Sequence, residues 1–175
     1  SDVCSSDLYR SRSVNERTGL RPVVFSRREG FADREVTIPC GQCIGCKLER
    51  SRQWAVRSVH EASLYDENAF LTLTYDPEHL PFDGSLNKEH FQKFMKRYRK
   101  WLTKNSEKRL VVPKVRYLHC GEYGERLGRP HYHVIIFGHD FLDKVVSRTE
   151  SGRPLYSSKT LDKLWGKGAC IIGDV

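Results

Sequence analysis

Arg129-Pro130-His131-Tyr132-His133-Val134-Ile135-Ile136-Phe137-Gly138 decides the fold. An apolar run of this length, rich in β-branched residues, predicts a buried strand. Residues i and i+2 of a strand share a face. His131 and His133 therefore stand side by side on one surface of a sheet, and Tyr132 points to the other. Two imidazoles held that way are half of a divalent-metal site. In so basic a chain, such a site points to phosphodiester chemistry on nucleic acid.

Glu122, nine residues before His131, is the best third ligand. A hairpin folding at Gly124 to Gly128 brings it back beside the histidines. One carboxylate and two imidazoles suit Mn²⁺ or Mg²⁺ with labile water positions. His119 is expected on the opposite face from Glu122 and is kept as a reserve ligand.

Working outward, Ala69 to Tyr75 forms a strand by its β-branched and aromatic content, ended by Asp76-Pro77. Asn87 or Ser85 caps a helix that runs to about Thr103. Phe91, Phe94, Met95, Tyr98, Trp101 and Leu102 follow its 3.6-residue period, and Lys93, Lys96, Arg97, Arg99 and Lys100 fill the other side. Val111 to Cys120 is a second strand, Gly121 to Pro130 a glycine-rich loop, Leu161 to Trp165 a short helix and Cys170 to Ile172 a last strand. A further helix is expected from Lys47 to about Tyr65, with Leu48, Trp54, Ala55, Val59 and Ala62 on its buried side. Residues 9–36 read as an extended arm or irregular strands. The fold class is α+β, an antiparallel sheet with helices packed on one face.

The 175 residues allow one ordinary domain with a real core. Mean hydropathy is −0.59, no apolar run reaches membrane-spanning length, and no signal peptide is visible. Net charge is +8. Between Lys88 and Arg116 eleven Lys/Arg face only two acids, Glu89 and Glu107, a block that calls for a polyanion partner. Lys96, Arg97, Arg99 and Lys100 are the expected phosphate contacts, blind to base sequence. Arg129 would hold the scissile phosphate beside the histidines. Thr74 and Tyr75 complete the expected DNA surface, with Tyr75 and Tyr123 able to stack on bases.

Cys40-Gly41-Gln42-Cys43-Ile44-Gly45-Cys46 spaces three thiols closely. Without a secretory signal such clustering reads as metal ligands or reduced thiols. A structural Zn²⁺ is the first choice, with plain thiols or an iron–sulfur cluster as alternatives.

Three motifs in order complete the reading: Phe70 to Tyr75, Cys120-Gly121-Glu122-Tyr123-Gly124, and Arg129 to His133. Together with Pro39 to Lys47 and Trp54-Ala55-Val56-Arg57, they resemble the HUH rolling-circle replication initiators, most closely those of microviruses of the gokushovirus type. The resemblance covers roughly residues 36–175. It implies an endonuclease in which a tyrosine attacks single-stranded DNA at a phage origin, leaving a 5′-phosphotyrosine link and a 3′-OH primer. It also implies an HUH core over residues 67–175, preceded by an arm, cysteine cluster and helix over 9–66. The host replication machinery would be a partner, the host cytoplasm the location, and no membrane would be involved. The alternative is a non-catalytic, zinc-stabilised module that binds single-stranded nucleic acid.

The two ends read differently. Ser1 to Leu8 matches a translated sequencing adaptor codon for codon and is set aside as non-native. At the other end, Ile171 to Val175 reads as a strand cut short. The nucleophilic tyrosine is expected after Val175, so this chain by itself should bind DNA and metal without cutting. Tyr156, in Tyr156-Ser157-Ser158-Lys159, matches the nucleophile's spacing but is read as a loop residue and a decoy.

Overall fold

A computed structural model describes residues 8–35, 39–105, 114–125 and 127–175. Residues 1–7 of the adaptor-like stretch and 111–113 of the second predicted strand lie outside the described residues. The chain divides into two compact units, one ending at Arg57 and one covering Ser58–Val175.

The first unit holds a three-stranded antiparallel sheet of β1 (Tyr9–Ser11), β2 (Val23–Val24) and β3 (Gly30–Glu35), in the order β2-β1-β3. Gly30 is obligatory by proximity, because a Cβ there would lie 2.2 Å from Cβ of Tyr9. Helix α1 (Ile44–Ala62) begins in this unit. It starts three residues earlier than its periodicity suggested and buries no residue fully. The expected buried side is corrected: Leu48, Trp54 and Val59 are exposed. The stripe is thin and broken by charge. Lys47, Glu49, Arg50, Arg52 and Arg57 crowd the same turns.

The second unit is built on a six-stranded sheet, in the order β5-β6-β4-β9-β8-β7, with every pair antiparallel. Its strands are β4 (Asn68–Leu73), β5 (Arg116–Tyr123), β6 (Pro130–Phe137), β7 (Val145–Glu150), β8 (Arg153–Ser157) and β9 (Cys170–Gly173). Helices α2 (Lys88–Asn105) and α3 (Lys159–Trp165) pack on one face. The α+β class and antiparallel sheet are as the sequence reading has them. The β7–β8 hairpin is additional. Its turn, Ser151-Gly152, has positive φ at both residues (48° and 77°), the mirror-image turn that matches strand twist.

Alternation decides which face is covered. On β4, Ala69, Leu71 and Leu73 are buried and meet Tyr132, Val134 and Ile136 of β6 and Cys170 and Ile172 of β9. Phe91, Phe94, Met95, Tyr98 and Leu102 of α2, with Leu161, Leu164 and Trp165 of α3, close this core. Burial of so many large side chains, each contributing about 1.5–3 kcal/mol, dominates the stability of the unit.

Polar bonds then fix the helices. Asn87 caps α2, its Oδ1 accepting from the Glu89 amide at 3.0 Å. Ser158 caps α3, accepting from the Leu161 amide at 3.1 Å, and Gly166 ends it at φ 60°. Arg97 donates to the carbonyls of Leu164 and Trp165 at 2.8 and 2.9 Å, satisfying the open end of α3.

Candidate metal centre

The centre lies on the face of the sheet away from α2 and α3. Antiparallel register puts Glu122 of β5 directly opposite His131 of β6, and Thr72 of β4 opposite His133. Directly opposed residues share a face, with Cβ atoms about 5 Å apart. The hairpin is tighter than its sequence suggested: β5 continues through Glu122 to Tyr123, so Glu122 is placed by the ladder and not by a loop.

The three ligand atoms converge. His131 Nε2 and His133 Nε2 are 3.2 Å apart, and the Glu122 carboxylate lies 3.3 Å from His133 Nε2 and 3.9 Å from His131 Nε2. An octahedral ion with bonds of about 2.1 Å separates its cis ligands by about 3.0 Å. The triad therefore forms one triangular face of a coordination sphere, with the remaining positions toward solvent.

The outer nitrogen of each ring is held. His131 Nδ1 lies 3.2 Å from the Arg129 carbonyl, and His133 Nδ1 lies 3.1 Å from Thr72 Oγ1. A carbonyl only accepts, so His131 carries its proton on Nδ1 and offers a lone pair at Nε2. Thr72 can play the same part for His133. Burial pushes the His133 pKa below the usual imidazole value, and neighbouring His131 adds to this while Glu122 opposes it. His133 is thus neutral near pH 7 and ready to ligate. Phe70 stacks on its ring at 5.4 Å. Two imidazole lone pairs and a carboxylate meeting without a donor between them, among the described residues, is the arrangement a cation satisfies.

Known proteins resemble this chain over the same span. The family of replication-associated ORF2 proteins matches residues 68–175, which hold the sheet and all three ligands. The chain belongs to this family. It is 41% identical over 140 residues to replication-associated protein VP4 of Bdellovibrio phage phiMH2K, covering 78% of this chain and 43% of that protein. It is 38% identical over 146 residues to replication-associated protein ORF2 of Spiroplasma virus 4, covering 79% and 44%. With replication-associated protein ORF4 of Chlamydia phage 1 the identity is 35%, over 75% and 33%. The chain thus spans less than half the length of these replication-associated relatives. No solved structure matches it.

Within this replication-associated fold the other predicted site residues fare differently. Cys40, Cys43 and Cys46 come together, with all three sulfur atoms within 4.8 Å of one another. His119 lies on the helix-covered face, its ring stacked 3.9 Å from Phe91, and is not a ligand. Tyr75 as a base-stacking residue is corrected: it is only 3% exposed, packs against Trp165, Tyr132 and His90, and its hydroxyl lies 2.9 Å from His90 Nδ1. Arg97 as a phosphate contact is corrected too, because its guanidinium caps α3. Arg99 lies over the Tyr117 ring at 5.5 Å, and Lys96 and Lys100 are exposed. All four belong to α2, across the sheet from the triad. Thr74 and Arg129 remain on the side of the centre. Thr74 Oγ1 donates to the Ala169 carbonyl at 2.7 Å, and Arg129 to the Tyr75 carbonyl at 2.5 Å.

Tyr156 is in strand β8 and not in a loop. Its register partner is Ile172, a core residue, so it faces the helices and not the triad. Its hydroxyl donates to Asp174 at 3.3 Å, and Lys144 sits over its ring at 4.6 Å. Tyr117, Tyr123 and Tyr132 also share the helix side by their position in the ladder. Thr72 is the residue the sequence reading missed. Its only sequence signal is the alternation of β4, and which residue it meets depends on pairing 61 positions away.

No described helix is long and apolar enough to cross a membrane.

Proposed function

We propose that this chain carries the metal-binding core of a replication initiator that nicks single-stranded DNA at a phage origin. The observation that carries the reading is the convergence of Glu122, His131 and His133, with both outer imidazole nitrogens already engaged. Membership of a replication-associated family and the +8 charge support it.

The three residues fit a divalent ion such as Mn²⁺ or Mg²⁺, and a bound ion supplies Lewis-acid polarisation of the scissile phosphate. The chain's own residues do the positioning. Thr72 and the Arg129 carbonyl orient the imidazoles, Glu122 balances charge, and Arg129 and Thr74 stand at the same end of the face to receive the phosphate backbone. Tyr75 serves by its carbonyl, which fixes the Arg129 guanidinium. Lys96, Arg99 and Lys100 suit a more distant stretch of strand running past α2.

In the proposed reaction a tyrosine oxygen forms a bond to phosphorus and the bond to the 3′ oxygen breaks. The tyrosine proton is released, and the departing 3′ oxygen takes up a proton as a free hydroxyl. The nucleophile is assigned to sequence following Val175, because Tyr75, Tyr117, Tyr123, Tyr132 and Tyr156 face away from the triad. The rival reading, a non-catalytic nucleic-acid module, calls for histidines held apart from Glu122. Their convergence favours the nickase.

The test uses two proteins, this chain and one extended by the downstream codons. Each is incubated with end-labelled single-stranded origin DNA and Mn²⁺ and run on a denaturing gel. A covalent protein–DNA band from the extended protein alone, abolished by His133→Ala, is expected. DNA retained by both proteins without any covalent band would replace the nickase with the binding module.

A further inference from the structure

We propose that Cys40, Cys43 and Cys46 form a second, separate metal site that holds a single zinc ion through three thiolates.

The first argument is local geometry. The Cys40 and Cys46 sulfurs lie 4.0 Å apart, and all three are within 4.8 Å of one another. A tetrahedral zinc ion with bonds of about 2.3 Å separates its sulfurs by about 3.8 Å. A disulfide would need about 2.05 Å, and none of the described cysteines is in one. An iron–sulfur cluster attaches its cysteines to different irons and spreads them further than the ligands of one ion. The spacing thus selects one ion over a cluster.

The second argument is that the backbone is already arranged around sulfur anions. The amides of Gln42 and Cys43 point at Cys40 Sγ, at 3.5 and 3.3 Å. The Cys46 amide donates to Cys43 Sγ at 3.4 Å, so Cys43 stands where the N-cap of α1 belongs. Gly41, at φ 76°, makes the turn that aims the first two amides. The first turn of α1 carries no acid, which leaves the positive end of the helix to the thiols. Lys47 and Arg50 follow, and Arg50 reaches back to the Gly41 carbonyl at 3.4 Å. Zinc with three thiolates carries a net negative charge, and all of these features offset it.

The third argument is need. Among the described residues of the first unit, only Leu8 and Tyr9 are buried apolar side chains. A unit of this size with so little core requires a staple, and a structural metal is one of the few available. Three soft ligands suit zinc, while the carboxylate–imidazole triad of the other unit suits harder ions. The two sites divide the metals by ligand chemistry.

The test measures metal content after anaerobic purification without an affinity metal. Wild type and the His131→Ala/His133→Ala double variant are both expected to hold about one zinc per chain, as for structural zinc sites. Cys43→Ser and Cys46→Ser should lower zinc by at least about tenfold relative to wild type. Should those variants prove insoluble, the wild type still decides. Zinc should shield three thiols from alkylation as counted by mass spectrometry, and a chelator should expose them. Zinc that survives in both serine variants would overturn the site. So would iron with labile sulfide in place of zinc, or three thiols that alkylate equally fast with and without chelator.

Discussion

The two faces of the six-stranded sheet are made from the same strands and do opposite work. On β6 the even-numbered residues Tyr132, Val134 and Ile136 are at most 4% exposed beneath α2 and α3, while His131 and His133 look outward on the other side. On the covered face the polar tips are buried into fixed bonds: Tyr132 donates to the Asn87 carbonyl at 2.7 Å, and the Tyr98 hydroxyl lies 2.8 Å from His139 Nδ1. On the open face, three groups converge with no donor between them among the described residues. One face is a completed structure and the other a vertex awaiting charge. Alternation along a single strand lets evolution change one without disturbing the other.

The division can be attacked from either side, and the largest effect should come from the open face. His131→Ala/His133→Ala should weaken Mn²⁺ binding by at least about 10³-fold while the urea midpoint barely moves, since two of three ligands are lost and no core is touched. Isothermal titration beside equilibrium unfolding checks both halves, and a large loss of stability would show that the faces are coupled. Trp165→Ala is the converse. It removes a fully buried side chain that also donates to the Thr74 carbonyl, and should cost about 3–5 kcal/mol in unfolding free energy. Metal affinity, measured where the variant is folded, should change by less than about threefold.

Thr72→Val sharpens the comparison further. It keeps the shape of the strand and removes only the partner of His133 Nδ1, so metal affinity should fall by about 10–100-fold at nearly constant stability. A smaller effect follows from pH in the metal-free protein. Burial lowers the pKa of His90 and of His119, both packed on the helix side. The folded state therefore resists their protonation, and stability should be full above the unfolded value of about 6.5 and decline as pH falls through it. Urea midpoints at pH values either side of that range test the sign; a rise on acidification would contradict the burial argument. Tyr156→Phe should do least. In the extended protein, covalent adduct formation should stay within about twofold of wild type, because the side chain sits on the covered face away from the chemistry.

The sheet and its site were legible in the sequence to different depths. The Pro130–Phe137 strand announced itself through alternation and β-branched content, and the α2 core through its 3.6 period. Glu122, His131 and His133 were found because a tight hairpin keeps partners close in sequence. The β7–β8 hairpin was overlooked, since both strands are largely exposed and lack an apolar rhythm. Arg97 was misread for a general reason. A charge on a helix gives no sign of whether it meets solvent or the end of another helix. Tyr75 was misread because an aromatic at a strand end is compatible with stacking or with core, and only the arrival of Trp165 and His90 decides.

By itself the sequence determined the α+β class, the hairpin that pairs Glu122 with His131, and the three-thiol loop before α1. Each of these is set by periods of two or 3.6 residues or by ligands a few positions apart, and such signals survive without knowledge of the fold. Tertiary structure alone decided that Thr72 orients His133, that Arg97 belongs to α3, and that Tyr156 lies on the wrong side of the sheet. Those facts depend on which strands pair across tens of residues. That choice is made by the burial of a whole face at once, and no local stretch of sequence encodes it.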